Sequence, residues 1–310
     1  MAASPAGPST VGIIVLGWNH SEETLACLDS LSKIVYRDLQ ILYVDNGSDP
    51  DERQKIKKAF SHVEWLELPV NRGFAGGMNS GIAWCLEKNI PYVLILNNDT
   101  CVDPNFLAPL VAALEKDPSV AGANPKILVR DHPEMIWFSG GVIRPLTGRT
   151  AHRGKDQPED TFKNQKAIMD YATGCCLLLR AGALRRVGLL DESYFAQCED
   201  VDLSLRLRRG GFSLLYVPQS VIWHGVSASM GGEASPMSLY FRVRNHPRLV
   251  WKQRLGVVPF LYHAVVAPAG LLLRALLKGQ GKAAQAVGVG YRDFLLGRGG
   301  EGAMKTFVRR

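Results

Sequence analysis

Residues 11–18 read VGIIVLGW, a continuous apolar run of strand length. This is the pattern of a strand buried on both faces. Asn19 or Ser21 can cap a following helix that carries Leu25, Leu28 and Leu31 on one face. The alternation then repeats. A strand at 40–44 (QILYV) ends in Asp45-Asn46-Gly47-Ser48, a helix is predicted at 53–60, and a third strand at 63–68. The segment 71–79 (NRGFAGGMN) leads into another helix, and a fourth strand at 91–96 (PYVLIL) ends in Asn97-Asn98-Asp99. Asp103-Pro104 has the form of a capped helix start, and 120–124 reads as a fifth strand. This alternation predicts an α/β fold: a Rossmann-like, mostly parallel sheet with helices on both faces. Such sheets bind ligands beyond the carboxyl ends of their strands. Polar clusters stand at those ends here: Asn19, Asp45 with Asn46, and Asn97 with Asp99. Each alone is an ordinary turn, but three on one edge favour a site.

Further along, 136–160 reads as a β-hairpin with a loop suited to variable contacts. Residues 170–180 (DYATGCCLLLR) read as a buried strand and 182–187 as a helix. The stretch 197–224, QCEDVDLSLRLRRGGFSLLYVPQSVIWH, opens with the adjacent acids Glu199 and Asp200 and closes on His224. Late basic residues and the Gly210 stop favour a helix over its first half. An acid pair and a terminal imidazole at one cleft would supply a general base and a metal ligand. The alternative is that the acids only favour a helix N-terminus, with Asp202 and Arg206 as an i,i+4 pair.

The 310 residues are 46% hydrophobic, enough for one large core or two modest ones. The net charge of +7 is uneven: from Arg242 onward there are 13 Lys/Arg against 2 Asp/Glu, leaving 23 against 27 before it. A slightly acidic body therefore carries a basic tail. The six cysteines have no CxxC spacing, which favours a reducing compartment without a disulfide framework or zinc site. Residues 1–10 lack the features of a signal peptide and read as a flexible leader. In the tail, 257–273 is an apolar run of 17 residues interrupted by Pro259, His263 and Pro268. That is short of the roughly 20 residues a spanning helix needs. With Arg254, Arg274, Lys278 and Lys282 around it, the run reads as an amphipathic helix on an anionic membrane surface. A dimerisation arm is the competing reading. No nucleic-acid reading module accompanies the charge.

The fold invites a nucleotide, yet Trp18-Asn19-His20-Ser21 stands where a dinucleotide fingerprint would place GxGxxG, and a P-loop is absent. Asn97 and Asp99 can instead hold a divalent cation against a diphosphate. In order, VGIIVLGWN, CLDSL, VDNGSDP, NRGFAGGMN, LILNNDT, TGCCLLLR, DESYFAQCEDVDLSLRLRRGGF and VPQSVIWHG resemble the pattern of family 2 glycosyltransferases. The bacterial rhamnosyltransferase-like and galactofuranosyltransferase-like branch is the nearest in pattern. The resemblance covers residues 11–245 and leaves 246–310 as a separate helical tail. It implies a GT-A fold, a divalent cation (Mg2+ or Mn2+), inversion at the anomeric carbon, and a nucleotide-sugar donor, dTDP-L-rhamnose or a UDP-sugar.

By the same resemblance, Asp45 lies near the donor base and ribose, and Arg72, Gly73, Gly76, Gly77 and Asn79 lie beside the donor, with Asn19, Asn46 and Asn98. Asn97 and Asp99 match the outer positions of the metal-binding Asp-x-Asp motif, with a neutral residue at the first. Asp200 matches the general base, next to Glu199, and His224 a late metal ligand. Tyr240 to Asn245 resembles the boundary with a membrane-associated tail. The implied setting is cytoplasmic and peripheral on the inner face of the membrane, in cell-wall or polysaccharide biosynthesis. The acceptor would be a glycan or lipid-linked hydroxyl, and a homo-oligomer is compatible with the tail. A sugar nucleotidyltransferase would need a GxGTR-like loop and an activating lysine, which the sequence lacks. A non-catalytic nucleotide-sugar-binding protein is the other alternative.

Overall fold

In the computed structural model, which describes residues 10–162, 165–225, 232 and 234–303, the sheet is built outward from β1 (Val11–Gly17), buried at every residue. Nearly all of the expected leader lies outside the described residues. After α1 (Ser21–Leu31), β2 (Leu39–Asp45) pairs parallel with one flank of β1. Helix α2 (Pro50–Ala59) leads to β3 (Glu64–Glu67), parallel to β2. Helix α3 (Gly73–Glu87) then carries the chain back, and β4 (Tyr92–Asn97) pairs parallel with the other flank of β1. Winding thus reverses at β1, the kind of switch point that opens a crevice at the strand ends.

The short β5 (Thr100–Val102) and α4 (Leu107–Lys116) precede β6 (Val120–Val129) and β7 (His132–Phe138). A separate hairpin of β8 (Gly141–Ile143) and β9 (Thr150–His152) follows, as the sequence anticipates, then β10 (Ala167–Ile168) and β11 (Cys176–Arg180). Helices α5 (Ala181–Val187) and α6 (Glu199–Arg209) lead to β12 (Ser213–His224). The main sheet runs β10-β12-β6-β11-β4-β1-β2-β3, with β5 on β12 and β7 on β6. Strands β6 and β12 are parallel, while β11 runs antiparallel to β4 and β6 and joins the two parallel halves.

Three local expectations shift for physical reasons. Neither Asn19 nor Ser21 caps α1: His20 takes that position in the left-handed region, and Asn19 Oδ1 instead accepts the Asp49 amide at 2.8 Å. Helix α4 starts at Leu107, because Asp103 closes a turn onto the Asn105 amide (2.8 Å) before the helix begins. The strand expected over 170–180 shortens to Cys176–Arg180, because Asn124 holds both the amide and the carbonyl of Thr173 away from the ladder.

The tail does not divide from the body at Asn245. Helix α7 runs unbroken from Pro236 to Lys252, with the Ser235 side chain accepting the Ser238 amide at its start. Helix α8 (Val257–Leu261), a π-helical turn (Tyr262–Val266) and α9 (Ala267–Leu277) form one helical run of 21 residues. It is long and apolar enough to cross a membrane, which corrects the expectation of a short, broken segment. Pro259 sits in a first turn whose amides have no helical partner. Pro268 sits at the start of α9, where the wider π turn absorbs the missing amide. One side of this run is buried through His263, Ala264, Pro268 and Ala275, while Val257, Leu261, Val265, Leu273 and Leu277 are exposed. Helix α10 (Gly281–Leu295) returns and buries Ala283, Ala286 and Val287 in a cluster with Tyr240, Phe241 and Val243 of α7.

Helix α3 lies close on β1 because two glycines four residues apart face the strand. A Cβ on Gly77 would lie 2.5 Å from Leu16 Cδ1, and one on Gly81 2.4 Å from Ile14 Cγ2. At Gly270 in α9 a Cβ would meet nothing within 4 Å. Gly81→Ala is therefore expected to cost about 1–3 kcal/mol through overpacking. Gly270→Ala should gain up to about 1 kcal/mol of helix propensity. Thermal melts of the two variants decide the matter: shifts of the same sign would refute close packing as the role of Gly81.

Candidate active site

A cleft of about 330 Å3 lies over the carboxyl ends of β1 and β4. Its walls include Leu16 and Trp18, Asn46, Asn97 to Asp99, Thr173 to Cys175, Phe195 to Gln197, Glu199, Asp200 and His224. A second cavity, about 640 Å3 between α7, α8 and α10, is larger. The smaller cleft is the candidate site because it collects the buried carboxylates and the imidazole.

On one wall β5 runs antiparallel to the end of β12, placing Thr100 opposite His224. This brings His224 Nε2 within 3.2 Å of Asp99 Oδ1. The two side chains meet as a close ion pair. Asp99 Oδ1 and both ring nitrogens of His224 are buried without any hydrogen-bond partner. Trp137 holds the imidazole edge-to-face, 4.5 Å between ring centres. Burial pushes the Asp99 carboxyl up, but His224 and the Arg130 guanidinium outweigh it and leave it below its ordinary value. Arg130 is itself ion-paired with Glu23 and donates its amide to the His224 carbonyl at 2.9 Å.

A carboxylate oxygen beside an imidazole nitrogen, which offers one lone pair in the neutral ring, fits a divalent cation. The Asn97 carboxamide lies on the same wall. Among the described residues no group of three or more His, Cys, Asp or Glu could hold an ion. Asn98 is less free, since its Nδ2 donates to Thr24 Oγ1 at 2.9 Å.

The opposite wall is the start of α6. The chain enters it through Phe195, Gln197 and Cys198, all left-handed, with φ of 65°, 67° and 78°. Non-glycine residues rarely adopt that region, and such strain collects at functional sites. Glu199 points inward, 6% exposed, with Oε2 unpartnered. Burial, and then the neighbouring Asp200, push its carboxyl well above the ordinary value. Asp200 is partly exposed to the cleft. It accepts the Gly174 amide at Oδ2 (3.0 Å) and the Val201 amide at Oδ1 (2.7 Å). Burial raises its carboxyl too, and these amides pull it part of the way back. Adjacent acids whose environments separate their ionisation in this way take different roles.

The residues expected beside a donor divide into two groups. Asn46 faces the cleft and organises its floor, donating to Asn71 Oδ1 (3.2 Å) and the Gly73 carbonyl (3.1 Å) and accepting the Arg72 amide (2.9 Å). Gly73 also lines it, with φ +72° and no room for a Cβ, which would lie 2.4 Å from the Phe195 carbonyl. The others stand behind or beside the wall. Asp45 is fully buried and ion-paired with Arg53 at 2.7 Å. Asn19 serves the 48–49 turn, and the Arg72 side chain reaches Ser80 and Glu192. Gly76 and Gly77 lie close to Arg72 and Leu16 respectively, and Asn79 ties down Leu190 and Glu192. Within the glycine-rich segment Gly77 thus packs on β1, while Gly73 lines the cleft.

Sequence reasoning missed Trp18, Phe74, Asn124, Trp137, Gly174, Met237 and Phe241. Asn124 carried a readable signal, a carboxamide at the end of an apolar strand. It donates to the Thr173 and Cys176 carbonyls at 2.9 and 2.6 Å and so hangs the 173–175 segment over the cleft. Met237 and Phe241 arrive from α7 and have no local signature.

The chain is similar to known proteins. N-acetylglucosaminyl-diphospho-decaprenol L-rhamnosyltransferase of Mycobacterium tuberculosis is 29% identical over 236 residues, covering 68% of this chain and 74% of that protein. The low-salt glycan biosynthesis hexosyltransferase Agl10 of Haloferax volcanii is 24% identical over 208 residues, covering 66% and 63%. Among solved structures, the mannosyltransferase PcManGT of Pyrobaculum calidifontis, in complex with GDP-Man and Mn2+, superposes with a TM-score of 0.60 at 15% identity, covering 95% of this chain and 89% of that one. GalNAc-T7 with UDP, GalNAc and Mn2+ gives 0.58 at 18% identity, and the matched region spans 79% of this chain but 49% of that one. At these identities the likeness carries the fold, which is GT-A. The sequence model described as glycosyl transferase family 2 matches residues 13–188, more than half of the chain, and the chain belongs to that family.

Proposed function

We propose that the protein is an inverting glycosyltransferase that moves a sugar, with L-rhamnose from dTDP-L-rhamnose the leading candidate, onto a hydroxyl of a glycan or lipid-linked acceptor. The observation that carries this reading is Asp200: a carboxylate held by two amides and open to the cleft, across from the orphaned Asp99–His224 pair. The rhamnosyl preference is supported by the mycobacterial relative. A nucleotidyltransferase is disfavoured because no lysine lines the described cleft.

Asp200 takes the proton from the acceptor hydroxyl as its oxygen attacks the anomeric carbon from the face opposite the leaving group. One carbon–oxygen bond forms, the bond to the diphosphate breaks, and the nucleoside diphosphate leaves with the electron pair. A single base suffices for this inversion. Asp99 and His224, with the Asn97 carboxamide, would hold Mg2+ or Mn2+, which supplies positive charge against the departing diphosphate. Trp18, Asn46 and Gly73 form the donor's side of the cleft.

The exposed side of the 257–277 helical run supports a membrane surface as the working location, on the cytoplasmic face. The run is long enough to span, but its inner side is packed into the protein, so lying in the interface leaves that packing intact. Arg254, Arg274, Lys278 and Lys282 surround the apolar face and suit anionic headgroups.

Transfer assayed across a panel of nucleotide sugars tests the reading and ranks dTDP-rhamnose against UDP-sugars. EDTA should abolish transfer, and Asp99→Ala should weaken donor binding in the presence of Mn2+; full activity in EDTA would remove the cation from the mechanism.

Asp200→Asn should lower the single-turnover rate by the ~10²–10⁴ typical of acid–base catalysis, with donor affinity nearly unchanged, and Glu199→Gln should do less. Because burial raises the Asp200 carboxyl, the base is protonated earlier as pH falls. The acid limb of the wild-type rate profile should lie above the ~3.9 of an unperturbed aspartate. An active Asp200→Asn enzyme with an inactive Glu199→Gln partner reverses the assignment.

The protein should sediment with anionic vesicles, less so at high salt, and Leu273→Glu should release it without loss of donor binding. Association indifferent to lipid charge, to salt and to Leu273→Glu, or a dimer formed through this face without lipid, refutes the membrane role.

A further inference from the structure

We infer that Arg244 and Asn245 of α7 are positioning residues for the general base, acting through the turn that delivers it; the inference rests on the reading of Asp200 given above. Both side chains are fully buried. Asn245 Nδ2 faces three carbonyls at once, those of Tyr194 (3.0 Å), Ala196 (2.8 Å) and Gln197 (2.9 Å). Arg244 Nη2 donates to the same Tyr194 carbonyl at 2.7 Å, and its Nε to Asn245 Oδ1 at 2.8 Å. Arg244 Nη1 reaches the Gly300 carbonyl (2.7 Å) and the Tyr240 hydroxyl (3.2 Å). The remaining carbonyl of the turn, Phe195, accepts the Ala75 amide from α3 at 3.2 Å.

Every carbonyl from 194 to 197 is therefore held from outside the turn. This is the segment in which Phe195, Gln197 and Cys198 are left-handed. A turn in a disfavoured conformation relaxes unless its surroundings over-determine it, and relaxation here would rotate or shift the first residues of α6, where Asp200 stands. A buried guanidinium needs its donors met, and in Arg244 they are met largely by carbonyls, Tyr194 among them. The donor side of the cleft rests mainly on the ends of β1 and β2, with Gly73 of α3 touching the turn at Phe195. Loosening the clamp should displace the base while leaving the donor's seat in place.

The test compares Asn245→Ala, Asn245→Ser and Arg244→Lys with wild type and with Asp200→Asn, measuring kcat, donor KM and the thermal midpoint of each. A displacement of about 1 Å costs on the order of 10² in rate. Asn245→Ala is therefore expected to lose at least about tenfold in kcat, with donor KM changed by no more than about twofold. Asn245→Ser and Arg244→Lys, which keep part of the donor set, should recover part of the rate. Wild-type kcat in folded Asn245→Ala, or a loss confined to donor KM, overturns the inference. If Asn245→Ala does not fold, Arg244→Lys is read by the same criteria. An inactive Asp200→Asn beside a fully active Asn245→Ala removes only the clamp, whereas an active Asp200→Asn removes the base reading beneath it.

Discussion

The Gly174 amide donates to Asp200 Oδ2 at 3.0 Å, and across this bond the two halves of the cleft meet. Gly174 belongs to the segment hung from Asn124 in β6, between the parallel halves of the sheet. Asp200 belongs to α6, which enters from the strained turn after Tyr194. Residue 174 has little space for a side chain, since a Cβ there would lie 3.1 Å from the Phe74 ring and 3.5 Å from Asp200 Cβ. A hydrogen bond to a charged acceptor is about twice as strong as a neutral one, and here it works against burial to keep the carboxylate available. Without it, only the Val201 amide and that of Asp200 itself would oppose desolvation.

Burial acts on three carboxyls in this site, and their partners decide the outcome. Asp99 has an imidazole and a guanidinium nearby, and it ends up more acidic than a free aspartate. Asp200 has two amide dipoles but no cation, and it ends up less acidic. Glu199 has no cation and only its own amide: its Oε2 is unpartnered and Asp200 is beside it, so its carboxyl is pushed furthest up. Three different sets of partners thus turn the same burial into three different outcomes. The sequence places Glu199 and Asp200 side by side, but only the fold buries one and leaves the other partly exposed at the same cleft.

What could be read from the chain was what local pattern determines. Strands β1, β2 and β4 fall within about a residue of their expected limits, because an uninterrupted apolar run between polar turns has few other uses in a folded chain. The helix at 199–209 was legible from its acidic start, basic end and glycine stop. The glycines of 71–79 were expected beside a donor by resemblance alone, and Gly77 faces Leu16 of β1, a contact that no local pattern announces. Asp103 looked like a cap and closed a turn instead, since the same side-chain chemistry serves both. The junction at Asn245 was invisible because what joins tail to body is a set of side-chain bonds between residues about fifty positions apart. Met237 and Phe241 reach the cleft for the same reason.

The neutral residue at position 97 bears on how this site would hold a cation. With Asn97 in place of a carboxylate, the only formal negative charge among the three candidate ligands is on Asp99. A divalent ion is left with a surplus of positive charge, which a diphosphate is suited to neutralise. Each would then bind better in the presence of the other, and linkage requires the two enhancements to be equal. The buried, unpartnered atoms of Asp99 and His224 are consistent with that coupling: the pair lacks the hydrogen bonds that would satisfy it alone, and a cation brought with the donor would meet both. In such a site the cost of leaving polar atoms unsatisfied in the free protein is recovered when donor and ion arrive together.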